Sequence, residues 1–267
     1  MNMKTKLLTA LAFAAVAANG QITLNNVNDT FTGATIVSND AVSQLTWVRY
    51  STTNAELTIP ENPVGNNVLQ VGGNGSFKGV YAITPGAAIT LAQGESLSLN
   101  YDFEFIQNPS NTANAIRFGF YNSNGTAGAA DAFGYHGNFG SGTNTTVSVG
   151  IETGTNGTVL GGTDITFPAG SGVGQSAIGQ NTAVNLGMTL TRTGDSAITI
   201  GLFQNDTLVW TATDSSASNF TFDMIALGVG NTSADYQIDN VIAIPEPGTL
   251  VLVGIALGSL LFFRRRR

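Results

Sequence analysis

The sequence predicts an all-β protein, a two-sheet antiparallel sandwich, with a signal peptide at one end and a short transmembrane helix at the other. Three observations carry this. Through the middle of the 267-residue chain apolar residues recur with a period of two, and no convincing helical stretch interrupts them. Turn residues punctuate the alternating runs. Both ends break the pattern, each with an uncharged apolar run beside basic residues.

At the N-terminus, Lys4 and Lys6 precede an apolar stretch from Leu7 to Val16 and then the small residues Ala17, Ala18, Asn19 and Gly20. A basic start, an apolar stretch and small residues after it define a secretory signal peptide over residues 1–20, the substrate of the Sec translocon and signal peptidase. Cleavage can follow Ala17 or Gly20. Residues 21–243 form the domain proper.

Within that domain the clearest strand is Ser96 to Ile106, where Leu97, Leu99, Tyr101, Phe103 and Phe105 alternate with Ser98, Asn100, Asp102 and Glu104. One face is core and the other wet. The same alternation marks Ile116, Phe118, Phe120; Val147, Val149, Ile151; Val184 to Leu190; and Ile198 to Leu202. Further strands are expected at Leu45 to Tyr50, Val68 to Val71, Phe77 to Ile83, Leu208 to Thr211, Phe220 to Leu227 and Tyr236 to Ile244. Gly194-Asp195 and Asn205-Asp206 are tight-turn dipeptides that make Leu186 to Trp210 a three-stranded meander. Gly- and Asn-rich stretches at 122–128, 134–144, 154–162 and 169–179 read as loops. Trp47 and Trp210 lie in strands and are expected in the core. About a dozen strands, each wet on one face, make a two-layer sandwich.

Composition narrows the chemistry. There is no cysteine and a single histidine, so cysteine nucleophiles and multi-histidine metal sites are excluded, and disulfides cannot stabilise the fold. No Gly-x-Ser-x-Gly elbow is present, and Lys78 is the only lysine outside the first six residues, which rules out a phosphate-binding Gly-Lys loop. Lys4, Lys6 and the four terminal arginines lie in the end segments. The domain itself keeps four basic residues against sixteen acidic ones. Such a surface repels nucleic acid and anionic lipid and suits neutral partners or divalent cations.

The C-terminus reads Ile244-Pro245-Glu246-Pro247, an apolar run to Phe263, then Arg264, Arg265, Arg266 and Arg267. From Thr249 to Phe263 the run would span roughly 22 Å as a helix, short of the ~30 Å hydrocarbon core, so insertion is marginal. Four arginines favour the cytoplasmic side, leaving the domain outside. Gly254 and Gly258 form a weak small-xxx-small pair. This tripartite tail, residues 244–267, resembles the PEP-CTERM sorting signal of Gram-negative, biofilm-forming bacteria, with Pro245, Glu246 and Pro247 as its signature and Ile244 where valine is frequent. The resemblance implies an exosortase-like membrane protease as partner, removal of the helix, and delivery to the cell surface or extracellular matrix, where exopolysaccharide is the available ligand.

Three stretches of the domain, Leu97 to Phe105, Arg117 to Thr126 and Ile238-Asp239-Asn240-Val241, together resemble the jelly-roll, concanavalin A or laminin G-like domains that often precede this tail. That resemblance implies the fold and leaves the activity open, since such sandwiches host lectins, hydrolases, lyases and structural modules.

Three candidate features follow. Tyr135, His136, Asn138 and Phe139, in a Gly-rich loop, place aromatics beside hydrogen-bonding groups and form the candidate glycan contact. Asp102 and Glu104 project to one strand face about 7 Å apart, the best pair for a glycosidase, although two acids on a solvent face are commonplace. No Glu-x-Asp-x-x-Glu strand of the β-glucan-cleaving jelly rolls accompanies them. Asp239 in the last strand, brought beside Asp29 if first and last strands pair, suits a structural calcium. No other cofactor is expected. The reading reached is an exported surface or matrix protein, structural or weakly glycan-binding, with a carbohydrate-active hydrolase or lyase as the alternative.

Overall fold

The computed structural model describes residues 46–50, 55–58, 68–73, 77–83, 88–124, 132–153, 160, 165–166, 172–230 and 234–246. These hold strands and no helix. In chain order the strands are β1 (Thr46–Tyr50), β2 (Ala55–Thr58), β3 (Leu69–Gly73), β4 (Phe77–Ile83), β5 (Ile89–Thr90), β6 (Ser96–Phe105), β7 (Thr112–Asn122) and β8 (Phe133–Ser141). There follow β9 (Val147–Thr153), β10 (Ile165–Thr166), β11 (Val184–Gly194), β12 (Ala197–Gln204), β13 (Thr207–Asp214), β14 (Thr221–Phe222), β15 (Met224–Gly230) and β16 (Tyr236–Glu246).

Two seven-stranded antiparallel sheets face each other, as the alternation predicted. The first runs β1-β4-β15-β7-β8-β9-β10, the second β13-β12-β11-β6-β16-β3-β2, and β14-β5 form a small ribbon. Leu97, Leu99, Tyr101, Phe103 and Phe105 of β6 are buried on the inner face of the second sheet, against Ile116, Phe118 and Phe120 of β7 on the first. Tyr101 meets Phe118 edge-on with ring centroids 5.2 Å apart, and Phe103 stacks on Tyr236 at 5.5 Å. Such aromatic contacts add about 1 kcal/mol each beyond area burial. Trp47 is buried in this core, and Trp210 packs half-buried against it.

The meander β11-β12-β13 forms as expected. Asn205 and Asp206 both adopt positive φ, 50° and 61°, the pairing that a two-residue hairpin turn requires. The Phe220–Leu227 strand is broken in two at Asp223. There the carboxylate accepts hydrogen bonds from the Ser123 backbone N–H (2.6 Å) and hydroxyl (2.7 Å), tying β7 to the break.

One expectation is overturned. Much of the 134–144 stretch, read as a loop from its glycines, is strand β8, and Tyr135, His136, Asn138 and Phe139 are all buried within it. The glycines serve close packing. A Cβ on Gly137 would stand 2.6 Å from Leu202 Cδ2 of the opposite sheet, and Gly134 is paired with the bulky Tyr121 on β7. Tyr135 and Phe139 join the inter-sheet core, where the Tyr135 hydroxyl donates to Asp214 at 2.8 Å. Burial and then that carboxylate push the phenol far above its ordinary range, so it stays a donor.

The last strand also differs from expectation. It continues past Ile244 to include Pro245 and Glu246, which pair with Leu97 and Ser96 of β6. Its described neighbours are β6 and β3; a first strand at Asp29, expected to pair with it, lies outside the described residues.

Candidate functional site

Strand alternation sends Tyr135, Gly137 and Phe139 inward and His136 and Asn138 outward. The register then decides what surrounds the outward pair. Asn138 is flanked by Arg117 of β7 and Ser148 of β9, and His136 by Gly119 and Gly150. The next row across the sheet is Met224, Tyr121, Gly134 and Glu152. Arg117, Tyr121, His136, Asn138, Ser148 and Glu152 therefore share the outer face of the first sheet over a floor of glycine. His136, Asn138, Glu152 and Tyr121 are buried although they point away from the inter-sheet core. Asn138 Nδ2 donates to Ser148 Oγ at 3.3 Å.

Leu160 lies over the same face. It is fully buried, packs with Tyr121, Ala132, Met224 and Ala226, and its carbonyl accepts a hydrogen bond from Arg117 Nη1. The Arg117 guanidinium also stands 5.8 Å from the centre of the Phe77 ring. Leu160 holds φ at +66°, a strained conformation for a bulky side chain, and its Cδ1 would stand 3.1 Å from any Cβ placed on Gly228. Backbone strain of this kind concentrates where a structure binds or switches. This arrangement offers donors (Arg117), an acceptor (Glu152) and groups that do both (His136, Tyr121, Ser148), without a net charge of one sign.

Of the sequence candidates, the structure keeps His136 and Asn138 together on this face and assigns Tyr135 and Phe139 to the core. Packed between the two sheets, those aromatics are not on a loop rim, which corrects the aromatic-loop reading. Arg117, Tyr121, Ser148 and Glu152 were not singled out from the sequence. They lie on neighbouring strands, and only register brings them beside His136.

The outer face of the second sheet carries the acids. Asp102 accepts from Asn185 Nδ2 at 3.0 Å and from Asn240 Nδ2 at 2.7 Å, and Glu104 accepts from Gln237 Nε2 at 2.8 Å. Asp239 of β16 pairs with Asp102 of β6, at a bulge where Asn240 takes φ +50°. Asp29 lies outside the described residues. Among the described residues no three His, Cys, Asp or Glu side chains are placed to hold a metal. Burial pushes the Asp239 carboxyl up; the Asn240 N–H at 2.7 Å works against this, and Asp102 adds a smaller upward push. The folded chain therefore holds this proton more tightly than the unfolded one. Its stabilising effect is complete below the ordinary carboxylate value of 3.8 and fades as pH rises through the raised folded value. We expect Asp239→Asn to melt higher than the parent at pH 7, with the gap closing below about pH 4; equal melting temperatures at both pH values would contradict this.

No curated protein matches the sequence. Among solved structures the chain is similar to the carbohydrate recognition domain of Emp46p in its metal-free form, with TM-score 0.52 and 11% identity, covering 85% of this chain and 97% of that one. The potassium-bound form of the same domain gives TM-score 0.50 and 10% identity over the same shares. At such identity the likeness is one of fold, and it makes this protein a jelly-roll sandwich. An alginate lyase Aly36B mutant in complex with alginate tetrasaccharide reaches TM-score 0.49 at 13% identity, with the same coverage.

The particular signature lies at the end of the chain, where residues 243–267 match the PEP-CTERM protein-sorting motif. That motif implies exosortase-dependent export. Pro245 and Glu246 stand in β16, while Pro247 and Arg264 to Arg267 lie outside the described residues. Among the described residues no helix is long and apolar enough to cross a membrane.

Proposed function

We propose that the protein is a surface-displayed or matrix glycan-binding module, exported through the Sec translocon, trimmed by signal peptidase and delivered by an exosortase-like protease. The observation that supports glycan binding is the convergence of Arg117, His136, Asn138, Ser148 and Glu152 on one glycine-floored sheet face, where Arg117 and Ser148 are half-buried and meet the sugar first, and the buried His136, Asn138 and Glu152 join only when what covers them is displaced. Mixed donors and acceptors at sheet spacing suit the hydroxyls of a sugar. The acidic domain favours a neutral polysaccharide over an anionic one. In this reading the Leu160 carbonyl occupies the acceptor position at Arg117 that a sugar oxygen takes on binding.

Pull-down of the purified protein on neutral matrix polysaccharide tests this. Arg117→Ala should weaken binding at least about tenfold, the worth of one hydrogen bond from a charged donor, while the melting curve confirms that the variant is folded. The Asp102→Asn, Glu104→Gln protein should bind like the parent. Unchanged affinity in Arg117→Ala would remove this face from consideration.

A carbohydrate-active hydrolase or lyase is the second reading, and one observation favours placing it on the same face. Tyr121, His136 and Glu152, three groups able to carry a proton, lie in adjacent rows there. Release of new chain ends from the bound polysaccharide, lost in His136→Ala, would select the enzyme; binding without release selects the module.

A further inference from the structure

The sorting motif and the sandwich share residues. β16 runs from Tyr236 to Glu246 without a break in strand assignment, so Pro245 and Glu246 are at once the start of the motif and the end of a core strand. Their partners, Leu97 and Ser96, open β6, the strand that occupies the centre of the second sheet beside β16. Only Pro247 and Gly248 then separate the sandwich from the apolar run that begins at Thr249. Two extended residues reach about 7 Å. With the apolar run in the bilayer, the end of β16 is pressed to the membrane surface, and a protease must read main chain that β6 already engages.

The strand is built to part at this end. A bulge between Asp239 and Ile242, with Asn240 at φ +50°, divides it into two stretches. Before the bulge, Tyr236 and Ile238 are deep in the core, and residues 236–238 pair with β3 on one side and β6 on the other. Beyond it, residues 242–246 have β6 as their only described strand partner, and Ala243 is the side chain described there as buried in the core. Among the described side chains, releasing the second stretch gives up one ladder, the half-buried Ile242 and the buried Ala243; releasing the first would open the sandwich.

We propose that sorting requires residues 242–246 to peel from β6, with the bulge at Asp239 to Ile242 as the hinge, so that the folded sandwich holds its own sorting motif in check. This rests on the motif being the sorting signal. The partner it implies is a protease that captures the motif as an extended strand in place of β6, a recognition mode in which main-chain hydrogen bonds supply the affinity.

The test uses the full chain in membranes that carry the processing protease, reading conversion of precursor to product by the mass of the C-terminus. Asn100 and Ile242 are direct cross-strand partners, and the chain has no cysteine of its own. Asn100→Cys with Ile242→Cys therefore places one disulfide across the hinge side of the ladder, within the Cα separation a disulfide spans. The oxidised clamp should cut the processing rate at least about tenfold, with reductant restoring it in the same protein. A flexible Gly-Ser spacer inserted after Ala243 frees the motif from β6 and should raise the rate severalfold. Equal processing of oxidised and reduced clamp overturns the proposal, as does a spacer that leaves the rate unchanged or lowers it. A chain carrying Pro245→Ala and Glu246→Ala should not be processed; if it is, the motif is not the signal, a failure separate from that of strand release.

Discussion

Asp235→Ala should cost about 3–5 kcal/mol of stability, the range found when one partner of a buried ion pair is removed. Lys78 is fully buried on β4 of the first sheet, and its ammonium donates at 2.5 Å to Asp235, which precedes β16 of the second sheet. The Asp235 side chain is 18% exposed and also accepts from Gln107 Nε2 at 2.8 Å. Removing the carboxylate takes the ion-pair partner from a fully buried ammonium. For a domain of this size the melting temperature should fall by roughly 10 °C. Replacing both groups together, Lys78→Met with Asp235→Leu, should recover much of the loss, because two apolar side chains need no partner. A drop of less than about 1 kcal/mol in Asp235→Ala, measured by urea unfolding, would show that the pair is not what closes this end of the sandwich.

Gly119→Ala should be nearly as damaging, at about 3 kcal/mol, the upper end for overpacking. A Cβ there would lie 2.0 Å from the Tyr135 carbonyl oxygen and 2.7 Å from His136 Cα. Both obstacles are backbone, so no side chain can turn aside, and β7 and β8 must separate. Because the displaced backbone is that of His136, the same substitution should also abolish polysaccharide binding if the outer face is the binding face. Gly179→Ala provides the comparison, since nothing lies within 4 Å of its Cβ. A Gly119→Ala protein that melts with the parent would mean that the β7–β8 contact is looser than described.

How legible each strand was depends on what covers its two faces. β6, β11 and β12 were found from the sequence because one face is packed and the other meets water, which writes the period of two into the residues. β8 was missed. Tyr135 and Phe139 alternate with His136 and Asn138, but glycines interrupt the pattern: Gly134 and Gly137, which look like loop residues, are small because Tyr121 and Leu202 occupy the space beside them. The same cause divided the expected glycan contact. Residues 135–139 were grouped as neighbours along a loop, but on a strand Tyr135 and His136 point to opposite faces, one into the core and one outward.

From the sequence alone came the all-β class, the meander turn at Asn205 and Asp206, the absence of disulfides, and the C-terminal sorting motif. All of these depend on residues close together in the chain, where period, turn chemistry and charge act locally. Tertiary structure decided the rest: that His136 stands among Arg117, Tyr121 and Glu152, that Asp239 faces Asp102, and that Pro245 and Glu246 complete a core strand. Those neighbours are set by inter-strand register, which joins residues tens to more than a hundred positions apart. The sorting motif was thus readable as an address from its own residues, while the pairing that ties it to the sandwich exists only once β6 and β16 have met.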